Sequence, residues 1–171
     1  MLRIHIDLPS QTLELYGPDG ALIRRYPVST GKAGAGERRG SFQTPRGRHV
    51  IRARIGAGQP ENAVFVGRRA TGEIYSAELG RQYPGRDWIL TRILWLSGKE
   101  PGFNRLGEVD TQRRYIYIHG APDSGVTRTP ESHGCIRMRS ADIMELFDLM
   151  SAGTPVEISD GAVRSPLEGC R

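Results

Sequence analysis

The stretch "LRIHIDLPSQTLELYGPDGALIRRYPV" (Leu2–Val28) decides the fold class. Leu2, Ile4, Ile6 and Leu8 alternate with Arg3, His5 and Asp7, the period of two that marks a half-buried strand. "PSQ" turns the chain, and Leu13, Leu15 and Tyr16 mark a second strand. "GPDG" (Gly17–Gly20) is a strong turn signal, after which a third strand runs from Ala21 to Val28. Three short strands with tight turns predict an antiparallel meander.

Outward from this meander the same grammar continues. Residues 31–49 form a loop dense in Gly and Arg, and Pro45 and Gly47 shape a turn before a strand near 48–55. Residues 57–87 read as irregular, with one short apolar run, "AVFVG". "WILTRILWLSG" (Trp88–Gly98) is the most hydrophobic stretch; its length suits a buried strand, with a helix as the alternative. "RRYIYIHG" reads as a strand ending at His119 and Gly120. One helix is expected after it, with Ser140 as N-cap, Asp142 in the first turn, and Ile143, Leu146, Phe147 and Met150 on one apolar face. Gly153 is expected to end that helix, "TPVEIS" to form a last strand, and 160–171 to be a tail.

The totals agree with a turn-rich β protein. With 171 residues the chain is one domain, long enough to bury a core without staples, and it holds 22 Gly and 11 Pro. The net charge of +5 comes mostly from Arg, often paired, as in Arg24-Arg25, Arg38-Arg39, Arg68-Arg69 and Arg113-Arg114. Such a surface suits an anionic polymer or is solvated charge spread over loops. No basic run is interleaved with aromatics, so nucleic acid is not the expected partner. No apolar stretch reaches the roughly 18 residues that span a membrane, and "MLRIHIDLPSQ" lacks the apolar segment and cleavage site of a signal peptide. The two cysteines are too few for a disulfide framework, and Cys135–Cys170 is the one bridge the count allows.

The chemistry concentrates in "ESHGCIRM" (Glu131–Met138). Cys135 is a nucleophile, a metal ligand or a buried thiol. A nucleophilic Cys needs a base, oxyanion donors and exposure. Gly134 lets backbone and substrate approach, and the N–H groups of Gly134 and Cys135 are candidate oxyanion donors. His119, at a strand end and 16 positions earlier, is a better base candidate than His133, which is only two positions from Cys135. Zinc would draw on Cys135, His133 and His119, with only Asp123 or Glu131 as a fourth ligand, and neither CxxC nor HExxH is present. "STGKAGAGERRG" fails the phosphate-loop pattern around Lys32.

"HG…SHGCIRM" resembles the signature of the YkuD-type L,D-transpeptidases, which remodel bacterial peptidoglycan. "IHIDLPSQTLELY", "YPVSTGK" and "TPRG" follow in that family's order, so the resemblance spans residues 2–159. It implies a mainly β fold, a YkuD-like β-sandwich or barrel with one prominent helix after the catalytic Cys loop. It implies that Cys135 attacks the stem peptide at the L-centre of the third residue, expels the terminal D-amino acid, and passes the thioester to an amine of another stem as a 3→3 cross-link. With water as acceptor the enzyme is an L,D-carboxypeptidase. His119 is then the base, held through the Gly120 carbonyl; His133, Gly134 and Cys135 surround the oxyanion; Ser132 fixes the loop; and Arg137 supports the loop or meets a substrate carboxylate. No cofactor or metal is required. The partners implied are donor and acceptor stem peptides, in the periplasm or cell envelope. The alternatives are cytoplasmic residence, delivery by a secretion system as a peptidoglycan-targeting effector, and a non-catalytic wall-binding module. Oligomeric state is left open. Two departures stand out: the spacer between His119 and Ser132 is short, and 67–114 matches no common core element, so it is expected to be a lid or insertion.

Overall fold

The computed structural model describes residues 1–161. Residues 162–171 of the expected 160–171 tail, and with them the Cys135–Cys170 pairing, lie outside the described residues. The chain forms one mainly β, curled sheet with a single prominent helix. Ten strands run in chain order as β1 (Arg3–Asp7), β2 (Thr12–Tyr16), β3 (Leu22–Pro27), β4 (Gly47–Ile55), β5 (Ala63–Val66), β6 (Arg69–Ile74), β7 (Ile89–Gly98), β8 (Tyr117–Ala121), β9 (Ile136–Arg139) and β10 (Pro155–Ser159). A short helix α1 (Ala77–Gln82) precedes β7, and α2 (Ser140–Leu149) follows β9.

The meander forms as the alternation predicts. β1 pairs antiparallel with β2, Ile4 opposite Leu15 and Ile6 opposite Leu13, and β2 pairs antiparallel with β3. Since side chains alternate faces, the register places all four on one side, and all four are fully buried. The other edge of β1 takes β10 in parallel, Ile4 beside Val156 and Ile6 beside Ile158, so the first and last strands among the described residues close on each other. The order continues β10-β4-β7.

β7 is the branch point. It pairs with β4 over its C-terminal half, with β8 through its middle and with β5 at its start. A bulge between Leu90 and Ile93, with Thr91 at φ +73°, lets one strand serve three neighbours. β8 in turn pairs in parallel with β9. The run "WILTRILWLSG" is thus a strand buried on both faces, which is why it reads as nearly continuous hydrophobicity. α2 packs Ile143, Leu146 and Phe147 onto β7, β8 and β9, completing a core shared with the meander.

Several expectations are corrected. Residues 57–87 are not irregular: they hold the β5–β6 hairpin and α1. The 67–114 stretch is not a single unit, because it combines β6 and α1 at the rim with β7 at the centre of the sheet. The N-cap of α2 is Arg139, without a side-chain cap; Ser140 is already helical, and its hydroxyl donates to Asn62 Oδ1 and accepts from Thr91 Oγ1. Gly153 does not close α2, which ends at Leu149 with Met150 extended. It turns the chain at φ +91° toward β10. β8 starts at Tyr117, because Asp110 captures the backbone N–H groups of Arg113 and Arg114 in a turn.

Candidate active site

The sheet register assembles the site. Ile118, Ile136 and Met138 face the main core, so Tyr117, His119, Cys135 and Arg137 alternate onto the opposite face. Ile93, His119 and Arg137 lie side by side across β7, β8 and β9. Trp95 and Tyr117 make the next row. Cys135, one position before Ile136, ends that row beside Tyr117. His119 and Cys135 therefore stand on one sheet face, on neighbouring strands, one pleat step apart.

His119 is 1% exposed. Its Nδ1 lies 2.6 Å from the Gly120 carbonyl oxygen. A carbonyl only accepts, so Nδ1 carries the proton and Nε2 is left as a base. Gly120 must be glycine for a packing reason: a Cβ there would come 2.4 Å from the Leu90 carbonyl oxygen of β7. Burial pushes the imidazole below its ordinary range, against the raising effect of the Gly120 bond.

Cys135 is half-buried and packs beside Ala63, Phe65, Ile93 and Tyr117. Its Sγ accepts from the Tyr117 N–H and donates to the Tyr115 carbonyl, both at 3.4 Å. Among the described residues the sulfur's hydrogen bonds go to these backbone groups and not to the imidazole. Burial pushes the thiol up to about 11; the Tyr117 N–H and the charges of Arg137 and Arg114 pull the other way. Burial thus disfavours the charged form of both the thiol and the imidazole.

The loop carrying Cys135 is held from three sides. Ser132 Oγ donates to the Cys135 carbonyl at 2.5 Å and accepts from the Gly134 N–H at 3.1 Å. The segment after β3 runs alongside: Thr30 O accepts from the Glu131 and Ser132 N–H groups, Lys32 N–H donates to Ser132 O, and Ser29 pairs with Arg137. Thr44 Oγ1 donates to Gly134 O at 2.9 Å and accepts from the Gly31 N–H. Gly134 sits at φ +120°, where a Cβ would also lie 2.9 Å from the Gln43 carbonyl oxygen, so only glycine fits without strain. "YPVSTGK" and "TPRG" are thus the two walls of the loop that carries Cys135.

The remaining predicted residues separate. His133 is exposed, its ring 5.5 Å from that of Phe42, and it does not join Cys135 and His119 as a ligand set. Among the described residues no three His, Cys, Asp or Glu side chains converge as a metal site. The Gly134 N–H is engaged by Ser132, so it does not point freely into the cleft as an oxyanion donor. Arg137 enters a cleft of about 490 Å³ also lined by Trp88, Arg86, Asp87 and Ala121, and donates to Asp87 Oδ1 at 3.3 Å.

Sequence reasoning missed Asp87 and Arg114. Arg114 donates to the Gln43 and Gly36 carbonyls and braces the loop behind Gly134. Its only sequence signal was membership of an Arg pair, a pattern shared with surface residues such as Arg25, which pairs with Glu14.

Comparison with known proteins agrees with this arrangement. The L,D-transpeptidase catalytic domain model, YkuD, matches residues 2–158. The YkuD protein of Bacillus licheniformis is 28% identical over 157 residues, 92% of this chain and 65% of that protein. The chain covers 92% of itself on an L,D-transpeptidase structure from Mycobacterium smegmatis, at 19% identity, TM-score 0.54 and 58% of that chain. For the L,D-transpeptidase of Xylanimonas cellulosilytica the values are 21%, 0.54, 92% and 60%, and for L,D-transpeptidase 3 of Mycobacterium tuberculosis 14%, 0.55, 93% and 61%. The chain thus spans less than two thirds of the length of these relatives, and the structural likenesses establish the fold. With the family model covering nearly the whole chain, this protein belongs to the YkuD family of L,D-transpeptidase catalytic domains.

Proposed function

We propose that this chain is a cysteine acyltransferase that cross-links peptidoglycan stem peptides. The observation that carries the reading is the tautomer of His119, fixed by the Gly120 carbonyl with Nε2 open as a base, one pleat step from a half-exposed Cys135.

The thiol leaves Tyr115 O, gives its proton to His119 Nε2, and Sγ attacks the carbonyl at the L-centre of the third stem residue. The tetrahedral oxyanion forms beside the Cys135 backbone. Collapse breaks the peptide bond; the leaving D-amino acid takes the proton from the imidazolium, leaving a thioester on Cys135. An amine of a second stem then attacks the thioester carbon. His119 accepts the amine proton and returns it to the departing sulfur, giving the 3→3 amide. No external base or metal enters this balance. Ser132 and Thr44 hold the loop during these steps, since a donor misplaced by about 1 Å loses much of its effect. The substrate places the working enzyme in the cell envelope.

The test is mass spectrometry of the intact protein with stem tetrapeptides. Wild type is expected to gain the mass of the acyl group, Cys135→Ala to gain none, and an added stem amine to convert the adduct into cross-linked dimer. Tripeptide in place of dimer would assign water as the acceptor. Turnover by Cys135→Ala at the wild-type rate would overturn the reading.

A further inference from the structure

Arg137 enters the cleft from the row that holds His119, and three guanidinium groups line that cleft: Arg81, Arg86 and Arg137. Their situations differ. Arg86 is satisfied, with both amino groups on Glu73 at 2.7 and 3.0 Å and its plane 4.5 Å over Trp88. Among the described residues Arg137 is held by a single side-chain hydrogen bond, Nη2 to Asp87 Oδ1 at 3.3 Å. This is longer than an ordinary charge-assisted bond and uses one edge of a group built for two parallel ones. The burial is lopsided as well: the Arg137 side chain is 18% exposed, whereas that of Asp87 is 51% exposed. A mostly desolvated guanidinium therefore faces a wet, loosely engaged carboxylate. A single long contact to a half-exposed carboxylate is weak and readily exchanged.

The position fits an anionic chain end. Arg137 and Cys135 are two residues apart on one side of β9, about 6.6 Å along an extended strand. If Cys135 attacks one residue from a peptide terminus, that terminus, with its carboxylate, lies within reach of the Arg137 side chain. Asp87 is also felt at the reacting pair: its charge raises both His119 and Cys135.

We propose that Asp87 is a resident stand-in for the terminal carboxylate of the substrate, occupying Arg137 until that carboxylate displaces it. The inference rests on the acyltransferase reading and adds a specificity residue to it. Asp87 makes the empty site discriminate: a ligand gains on Arg137 only if its anion makes a better bond than the one it breaks. Peptides ending in an amide leave the Asp87–Arg137 pair in place.

Binding without chemistry tests this. In the Cys135→Ala protein, calorimetric titration compares a stem tetrapeptide carrying a free C-terminal carboxylate with the same peptide as its C-terminal amide. Adding Asp87→Asn to that protein is expected to tighten the carboxylate peptide about fivefold, the exchange of a weak, single-contact pair for one with the ligand, and to leave the amide unchanged. Asp87→Glu, which keeps the charge, is expected to restore the wild-type preference. Equal tightening of both peptides, no change in either, or no binding of the carboxylate peptide would overturn the inference. Acylation of Cys135 in the otherwise wild-type protein is read separately. If it occurs while Asp87→Asn has no effect on carboxylate binding, only the role of Asp87 falls; if it never occurs, the acyltransferase reading falls.

Discussion

At Cys135 and His119, burial opposes charge on both partners. The thiol is pushed up to about 11 and the imidazole down from its usual 6.5, so a thiolate–imidazolium pair is disfavoured twice in the resting enzyme. On the proposed acyltransferase reading the proton moves when the carbonyl is attacked, with His119 as a general base rather than a standing counter-ion. Two pH profiles follow. Alkylation of Cys135 by iodoacetamide is expected to rise steadily with pH toward about 11 without a plateau near neutrality. The acid limb of kcat/KM is expected below pH 6.5, because the depressed His119 stays unprotonated as pH falls past that value. A neutral plateau in the alkylation profile, with an acid limb above 6.5, would show a preformed ion pair instead. In the sequence "HG" and "SHGCIRM" mark both residues as candidates. It could not show their protonation, because the groups that bury them, such as Phe65 and Ile93, come from distant strands.

At the scale of elements, β8 and the Cys135 loop each depend on one glycine. Gly120→Ala would press a methyl group against the Leu90 carbonyl, 2.4 Å away, in the middle of the sheet. The expected cost is roughly 1–3 kcal/mol of stability, the usual range for overpacking, read as a lower urea midpoint. Gly134→Ala meets both a positive φ and the Gln43 carbonyl; its expected signature is loss of acylation exceeding the loss of stability, because the strain falls on the loop that presents Cys135. Equal effects of the two substitutions on acylation per folded molecule would remove this distinction. The elements legible in the sequence were those with a clean period. β1, β2, β7 and α2 each carry an apolar pattern that the fold uses directly. β6 and α1 were not legible, since "RATGEI" is almost wholly exposed and α1 buries no residue, leaving neither with an amphipathic signal. The same holds for the Thr44–Gly134 bond, which joins residues 90 positions apart. The glycine-rich loop around Lys32 fails the phosphate-loop pattern in the sequence, and in the fold its Lys32 N–H donates to Ser132 O beside Cys135.

At the scale of the whole molecule, the sheet curls so that β10 is wedged between β1 and β4, and a second buried histidine fastens its neighbour to the 99–111 connection. His49 on β4 is 1% exposed, with Nδ1 3.0 Å from the Gly47 carbonyl and Nε2 3.0 Å from Thr111 Oγ1. Thr111 lies next to Asn104, whose amide donates to the Arg46 and Arg48 carbonyls that flank the start of β4. Burial drives His49 down to about 4, against the raising effects of Gly47, Glu100 and Glu37. In the unfolded chain a histidine titrates near 6.5. Between about pH 6.5 and 4 the unfolded state therefore binds the proton and the folded state does not, so stability falls as pH falls through that window. A difference of about 2.5 pH units is worth about 3 kcal/mol once the full window is crossed. His119 contributes with the same sign, since it is buried and lowered too. Urea unfolding of wild type is expected to weaken from pH 7 to 4, and His49→Gln, which cannot take up a proton there, is expected to flatten that decline while leaving the share due to His119. The readout is the slope against pH, so a general loss of stability in the variant does not obscure it. A His49→Gln protein whose unfolding free energy falls as steeply as that of wild type between pH 6.5 and 4 would show that acid sensitivity arises elsewhere in the sheet.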